Sequence, residues 1–353
     1  MQVLQHQSEA GPRESQILAL IRDTHIPGAM SYHYDRLHSF SAFATTQGTH
    51  YELYEAEEQG KTLGFTQITF AQVNWNGKTA QVSYSGDTRV APMARGRGIS
   101  NDLIRMACHQ SVPVFGAVMN SNELVLSRKI GDWRKLGIQF EVITELKALF
   151  FRPKAKSSKS QLSHRRASVS DLRAMYELWC HYQTTRNLSR SYQDFHEFKK
   201  SYSNESGIEL QNTLLYFRGH TLLAMMTLWD QSRVRKIVID HQSRMIRFAS
   251  KLFLNLPNVG EELKTLFSFQ HAFLDNHPDT SLAVRALIDQ ARFEASKMGA
   301  HFFSLGLDSR DPILKTAARG AFITNSAKII LDPRGNQEFK TQLLPLHLEV
   351  GLG

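Results

Sequence analysis

A glycine-containing loop between Asp87 and Ser100 joins a predicted strand directly to a predicted helix. It reads Asp-Thr-Arg-Val-Ala-Pro-Met-Ala-Arg-Gly-Arg-Gly-Ile-Ser. Residues 80–90 alternate between apolar and polar side chains, which is typical of a half-buried strand. Residues 99–107 repeat apolar side chains at helical spacing, with a stripe formed by Ile99, Leu103, Met106 and Ala107. This part of the chain therefore has to fold as strand, tight turn and helix in direct succession.

The turn has the composition of an anion site. The first turn of a helix leaves backbone N–H groups unpaired and carries the positive end of the helix dipole. Gly96 and Gly98 allow unusual φ angles and a close approach to phosphate oxygens, while Arg95 and Arg97 add positive charge. The loop therefore predicts a diphosphate site, and an Arg/Gly-rich surface turn before an ordinary helix is the alternative.

Two common phosphate loops do not match this segment. A dinucleotide-binding loop requires G-x-G-x-x-G, and here Asn101 stands at the third glycine position. A Walker loop requires G-x-x-x-x-G-K-[ST], which is absent from the segment. A different class of phosphate loop is needed to explain the pattern.

The loop resembles the coenzyme A loop of the GCN5-related N-acetyltransferases. The resemblance is carried, in chain order, by Val90, Pro92, Arg95, Gly96, Gly98, Ile99 and Leu103. Ser100 is a departure, because the family usually has glycine or alanine at that position. The resemblance implies an α/β fold with a mixed (α+β) sheet, acetyl-CoA as cosubstrate and no metal. It also implies a cofactor site made of Thr88, Val90, Arg95, Gly96, Arg97, Gly98, Ile99, Ser100, Asn120 and Asn122.

The side chains next to the loop are the candidates for proton transfer. On the strand, Val82, Tyr84, Thr88 and Val90 are expected on one face, and Ser83, Ser85 and Asp87 on the opposite, polar face. Asp87 is the candidate general base, and an ion pair with Arg89 is the equal alternative. Tyr84 could position substrate or act through its hydroxyl, or simply pack in the core. Trp133 stands where many relatives have a tyrosine acid, and an indole cannot protonate a thiolate.

The order of predicted elements repeats on either side of a basic, serine-rich stretch. We predict an acetyltransferase domain over 1–151, a linker over 152–168 and a second acetyltransferase-like domain over 169–353. In the second domain, Asp275-Asn-His-Pro-Asp-Thr280 stands in place of the diphosphate loop. Its carboxylates repel phosphate and its proline lacks an N–H donor, so this domain is expected not to bind coenzyme A. An unrelated α/β domain is the alternative.

Charge and cysteine content narrow the class of protein. The formal net charge is +9, and much of the excess lies in the predicted linker, so nucleic acid is an unlikely partner. A second basic cluster around 233–251, including Arg233 and Arg235, could meet an acidic substrate or RNA. Cys108 and Cys180 suggest neither a disulfide framework nor a zinc site. The N-terminus resembles no signal peptide and no run is long enough to span a bilayer, so we expect a cytoplasmic protein without membrane contact.

The resemblance implies transfer of an acetyl group from acetyl-CoA to a primary amine, on a small molecule or a protein. Two alternatives remain open: an aminoacyl or acyl transferase on a tandem fold, and a non-catalytic module that binds acetyl-CoA. The acceptor pocket is expected near 27–46, where Tyr32, His33, Tyr34 and Arg36 suit a cationic or aromatic amine. The second domain could complete that pocket or form a homodimer interface.

Overall fold

The structure is a computed structural model of the chain. It describes all residues except 8–12, 38, 123–124, 157–162, 203–205, 251–255, 341–343 and 350–353. Part of the predicted linker and the end of the basic cluster therefore lie outside the described residues.

The first half alternates strands and helices around the glycine loop. Its strands are β1 (Gln2–Gln7), β2 (Met30–Asp35), β3 (His50–Glu58), β4 (Lys61–Trp75), β5 (Lys78–Val90), β6 (Val114–Met119) and β7 (Glu141–Phe151). Its helices are α1 (Glu14–Arg22), α2 (Phe40–Gln47), α3 (Ile99–Ala107) and α4 (Ile130–Lys135), the last preceded by a π-helical turn over Val125–Lys129. A 3₁₀ turn over Pro92–Ala94 precedes the glycines.

The second half repeats this order, except that β2 has no counterpart and that one strand and one helix are inserted before the fifth strand. Its strands are β8 (Ser163–Arg166), β9 (Thr213–Arg218), β10 (Thr221–Asp230), β11 (Lys236–Gln242), β12 (Thr265–Phe273), β13 (Phe302–Asp308) and β14 (Ile323–Asp332). Its helices are α5 (Leu172–Gln183), α6 (Phe195–Lys200), α7 (Arg244–Ala249), α8 (Thr280–Lys297) and α9 (Leu314–Ala317). The sequence pattern predicts a helix over 281–298 and strands over 265–274 and 301–307, and the structure has all three within one residue of these bounds.

Twelve of the described strands form one continuous mixed sheet, in the order β1-β3-β4-β5-β6-β14-β7-β13-β12-β10-β9-β8. The two halves exchange strands at its centre: β14 pairs with β6 and β7 of the first half, and β7 pairs with β13 of the second. Each half therefore completes the sheet of the other. This exchange makes the two predicted domains parts of one sheet, and their boundary at 152–168 stays a prediction.

A second, two-stranded sheet also joins the halves. The strands β2 and β11 pair antiparallel, with Lys236 opposite Asp35 at one end. We call this pair the ribbon. Arg36 directly follows β2 and Arg235 directly precedes β11, so both arginines lie at that same end of the ribbon.

Apolar packing fixes the elements around the glycine loop. On one side of the sheet, α3 packs on β3 and β4 in a cluster that contains Tyr54, Ile68 and Leu103. On the other side, α1 and α2 pack in a cluster with Tyr51 and Phe65. Among the described helices, none is long and apolar enough to cross a membrane.

Candidate functional site

The glycine loop has the geometry of an anion cradle. Gly96 and Gly98 have φ angles of 82° and 81°, in the left-handed region that glycine adopts without strain. The residues from Arg95 to Gly98 are exposed. In the described part of the chain, the backbone N–H groups of the five residues from Gly96 to Ser100 have no hydrogen-bond partner. Five consecutive free donors at a helix N-terminus form a site for phosphate oxygens.

The helix behind the loop is held by its buried face. Ile99 and Leu103 are buried, and Gly98 is the N-cap residue of α3. The predicted apolar stripe is wrong at one position, because Met106 is 39% exposed and Ile104 is buried instead. The stripe follows 99, 103, 104 and 107, which is the spacing of one helix face.

A gap opens between β5 and β6 next to the loop. The two parallel strands pair only at Ser83–Val114 and Tyr84–Phe115, although β5 continues to Val90. We call the region beyond this last pair the opening. Because parallel neighbours normally continue their ladder, the divergence leaves backbone groups of β5 available to an extended ligand arm.

A β-bulge at Asp87 reverses the alternation of β5. Asp87 has a φ of 53°, and the register with β4 shifts between Phe65 and Gln67. As a result, Val90 packs towards α3 while Tyr84 packs in the cluster on the opposite side of the sheet. The expectation that these two side chains share a face is therefore wrong, because a bulge adds one residue to the strand.

Asp87 is an ion-paired carboxylate on the side of the opening away from α3. It accepts hydrogen bonds from Arg36 and from Arg89, the latter at 3.2 Å. The ion pair with Arg89 is the alternative that the sequence left open. Two guanidinium partners stabilise the ionised carboxylate and occupy its oxygens, so they make Asp87 a weak candidate for a general base.

Tyr84 lies against Phe115 at the last paired residues, with ring centroids 5.1 Å apart. Burial raises the pKa of its hydroxyl to about 12, with smaller opposing effects from Arg235, Arg89 and Arg36. The phenol therefore stays protonated at neutral pH. In that state it can donate a hydrogen bond or a proton at the opening.

Three arginines converge beside Asp87, and the sequence analysis did not identify them as a set. Arg36 and Arg235 are 2% and 3% exposed, and the Arg89 side chain is 17% exposed. We call Arg36, Arg89 and Arg235 the arginine cluster. Arg235 belongs to the basic cluster that was expected to be able to meet an acidic substrate or RNA, but it is buried and stacks on Tyr34 and Phe43. The apolar neighbours of Arg235 in the sequence were the available signal.

The remaining predicted site residues make contacts within the protein. The Asn120 side chain donates to Glu145 at 2.6 Å, and Asn122 accepts from the Val125 N–H, so both are engaged in local structure. Contacts of either asparagine with the pantetheine arm stay a prediction. Trp133 is buried against Phe140 in the cluster below α3, which is a packing role.

The second half has a corresponding opening that the chain itself occupies. The strands β12 and β13 pair only over residues 265–267, and Gln270 forms a bulge with a φ of 47°. There the Gln270 N–H donates to the Glu349 carboxylate at 2.7 Å, and His347 lies between Glu349 and Tyr182. The C-terminal segment over 344–349 therefore sits where the first half is open.

The loop that follows β12 is also committed to internal contacts. Asp275 accepts from Arg186 and from the Thr185 hydroxyl, while Asp279 pairs with Arg218 at 3.4 Å. These contacts, like the composition, leave no cradle for phosphate at this loop. The loss of coenzyme binding in the second half stays a prediction that both observations support.

The occupied opening predicts a specific pH dependence of stability. Burial lowers the pKa of His271 and His347 to about 3 and raises that of Glu349 to about 7. Near pH 5.5 the unfolded chain holds about two protons on the histidines, and the folded chain holds about one on Glu349. This net difference of one proton should lower the free energy of unfolding by about 1.4 kcal/mol per pH unit as the pH falls.

Urea unfolding at several pH values measures this slope, and His271→Gln isolates it. In that variant the unfolded chain gains one proton, which balances the one on Glu349, so the contribution of the cluster should vanish. An identical slope in the native chain and the variant would show that His271 titrates normally.

We compared the chain with known proteins by sequence and by structure. No protein-family model and no curated protein sequence matches the chain. The N-myristoyltransferase of Saccharomyces cerevisiae with bound myristoyl-CoA is similar over 94% of this chain and 82% of its own, with a TM-score of 0.63 and 12% identity. A GCN5-related N-acetyltransferase from Sphaerobacter thermophilus is similar over 94% and 96% of the two chains, with a TM-score of 0.52 and 12% identity.

A probable N-acyltransferase from Enterococcus faecalis is similar as well, with a TM-score of 0.50 and 11% identity over 96% of this chain and 74% of its own. The chain has the acetyltransferase fold. The fold class, and the fold that the family resemblance implied, are thereby confirmed. At this level of identity the similarity establishes the fold alone.

Proposed function

We propose that the chain is an acyl-CoA-dependent N-acyltransferase. The five free N–H groups of the glycine loop carry this proposal, because they provide a diphosphate site beside the opening. The 3′,5′-ADP diphosphate would bind there, with Arg95 and Arg97 adding charge. The pantetheine arm would then run into the opening and pair with the backbone near Thr88 and Val90.

The reaction follows from the positions around the opening. The acceptor amine, in its neutral form, attacks the thioester carbonyl, and the thiolate leaves as the tetrahedral intermediate collapses. Tyr84 is the residue that we assign to protonate the thiolate, because its hydroxyl stays protonated. The nitrogen proton passes to solvent, since Asp87 is held by two arginines, and the Tyr84 phenolate regains a proton from solvent.

The acyl donor is the finer part of the proposal. Acetyl-CoA is the simplest donor, while one structural neighbour was solved with myristoyl-CoA. A series from acetyl- to myristoyl-CoA, assayed with an amine panel and a thiol reagent for released coenzyme, measures the chain-length preference. We expect turnover with acetyl-CoA to exceed that with myristoyl-CoA, and the reverse order would assign a long-chain acyl donor. Tight binding without any turnover would indicate a non-catalytic module instead.

A further inference from the structure

The arginine cluster includes two largely buried guanidinium groups that share one carboxylate in the described part of the chain. Arg36 and Arg235 meet at one end of the ribbon, and Arg89 extends from β5 towards them. Asp87 pairs with both Arg36 and Arg89, while the contacts of Arg235 include the amide oxygen of Gln231 at 2.8 and 3.0 Å. Buried cations are stable in proteins when anions offset them, so the sharing of Asp87 by Arg36 and Arg89 favours a further anion.

Two buried donors of the cluster point to the same conclusion. Within the described residues, Nη1 of Arg36 and Nε of Arg89 are buried and have no hydrogen-bond partner. Such donors are rare in folded proteins, because each forfeits its hydrogen bond to water. A bound anion would accept from both. Burial is also the main cause that lowers the pKa of Arg36, Arg89 and Arg235, with repulsion among them contributing for Arg36 and Arg235.

Aromatic stacking holds the guanidinium groups in place without neutralising them. Arg36 lies over Phe40 and Phe43 at 4.6 and 4.7 Å from the ring centroids. Arg235 lies over Phe43 and Tyr34 at 4.1 and 4.3 Å. Planar guanidinium groups fixed in this way present paired donors that match a carboxylate or a phosphate.

The cluster lies on the acceptor side of the proposed reaction. Arg89 is two residues beyond the bulge of β5 and, like Tyr84, lies on the side away from α3. It is the most exposed member of the cluster, with 17% of its side chain accessible, so an anion approaching from solvent would meet Arg89 first. An acceptor whose anionic group met this cluster would hold its amine near the opening.

We propose that the cluster is the binding site for an anionic group on the acceptor, so that the substrate is an amine with a nearby carboxylate or phosphate. This inference rests on the proposed N-acyltransferase function. It replaces the expectation of a cationic amine, because three guanidinium groups repel a second positive charge. The acceptor amine itself would be neutral when it attacks.

Matched pairs of acceptors test the proposal. We would compare glycine with glycinamide, an acidic peptide with its amidated form, and phosphoethanolamine with ethanolamine. The anionic member of at least one pair should show kcat/KM at least about 10- to 100-fold higher, which is the effect of one charge-assisted hydrogen-bond pair. The pair that responds identifies the source as a free amino acid, a peptide or a phosphorylated amine. Equal rates within all three pairs would overturn the proposal.

Arg89→Ala and Arg89→Lys test the residue that is most accessible. Arg89→Ala should raise KM for the anionic acceptor about 10- to 100-fold with a smaller change in kcat, and it should change KM for the neutral acceptor much less. Arg89→Lys should restore part of the loss, because it keeps the charge without the planar fork. Arg105→Ala, on the exposed face of α3, is the matched control.

Binding measurements test the anion site and the acyltransferase function separately. We would use calorimetry to measure the binding of N-acetylated amino acids, the expected products, and of coenzyme A to the native chain and to each variant. Coenzyme A binding without any anion preference would overturn the anion site alone. Anion binding that Arg89→Ala weakens, in a chain that does not bind coenzyme A, would support the site and refute the acyltransferase. Thermal unfolding shows whether Arg89→Ala has lost stability. If it has, the binding of Arg89→Lys is compared with that of the native chain instead.

Discussion

Gly98→Glu is expected to weaken coenzyme A binding by about 100-fold or more, measured by calorimetry. The φ of 81° at this position is strained for any side chain other than glycine. No atom lies within 4 Å of the position that a Cβ would take, so the side chain itself fits in the free protein. A carboxylate there would face the diphosphate and block the free N–H groups from Gly96 to Ser100.

A matched variant separates the loss of binding from backbone strain. Gly77, in the turn between β4 and β5, has a φ of 86° and likewise has no atom within 4 Å of a Cβ. Gly77→Glu should therefore lose a similar amount of stability, of order 1–3 kcal/mol, and keep full coenzyme A binding. If both variants bind equally well, the glycine loop is a surface turn and the cofactor site lies elsewhere.

Asp87→Asn is expected to lower the free energy of unfolding by about 3–5 kcal/mol, because it leaves the arginine cluster without its carboxylate. Asparagine tolerates the positive φ of the bulge, so the backbone should remain as it is. The amide is nearly the same size, which makes the lost charge the main change. Urea unfolding measures the difference.

A double variant tests the cause of this loss. Arg36→Met removes the most deeply buried guanidinium, so Asp87→Asn combined with Arg36→Met should recover a large part of the stability. If Asp87 were a general base, Asp87→Asn would give a different result. If Asp87→Asn kept its stability while kcat fell more than about 100-fold, the carboxylate would be catalytic and the cluster would have another counter-ion.

The sequence predicted the elements that depend on neighbouring residues. The glycine loop, α3 and most strands of the large sheet follow from local alternation, helical spacing and turn residues within about twenty positions. The fold class followed from the same segment, through the resemblance of its loop. The predicted strand faces of β5 failed beyond Asp87, because one extra residue in a bulge inverts every later side chain.

The arginine cluster was beyond the reach of that reasoning. Arg89 lies 53 positions after Arg36, and Arg235 lies 146 positions after Arg89. They meet because β2 and β11 pair across the two halves, and neither strand was predicted. The apolar neighbours of Arg235 could indicate its burial, but they could not indicate that it meets Arg36 and Arg89.

The sequence by itself determined the loop, its helix and the repeated order of elements, because these are set by contacts between residues close in the chain. Only the tertiary structure decided which half is open. The exchange of β7 and β14 joins the halves into one sheet, and the C-terminal segment fills the second opening through Glu349. These contacts join residues far apart in the chain, so their geometry exists only once both halves have folded together.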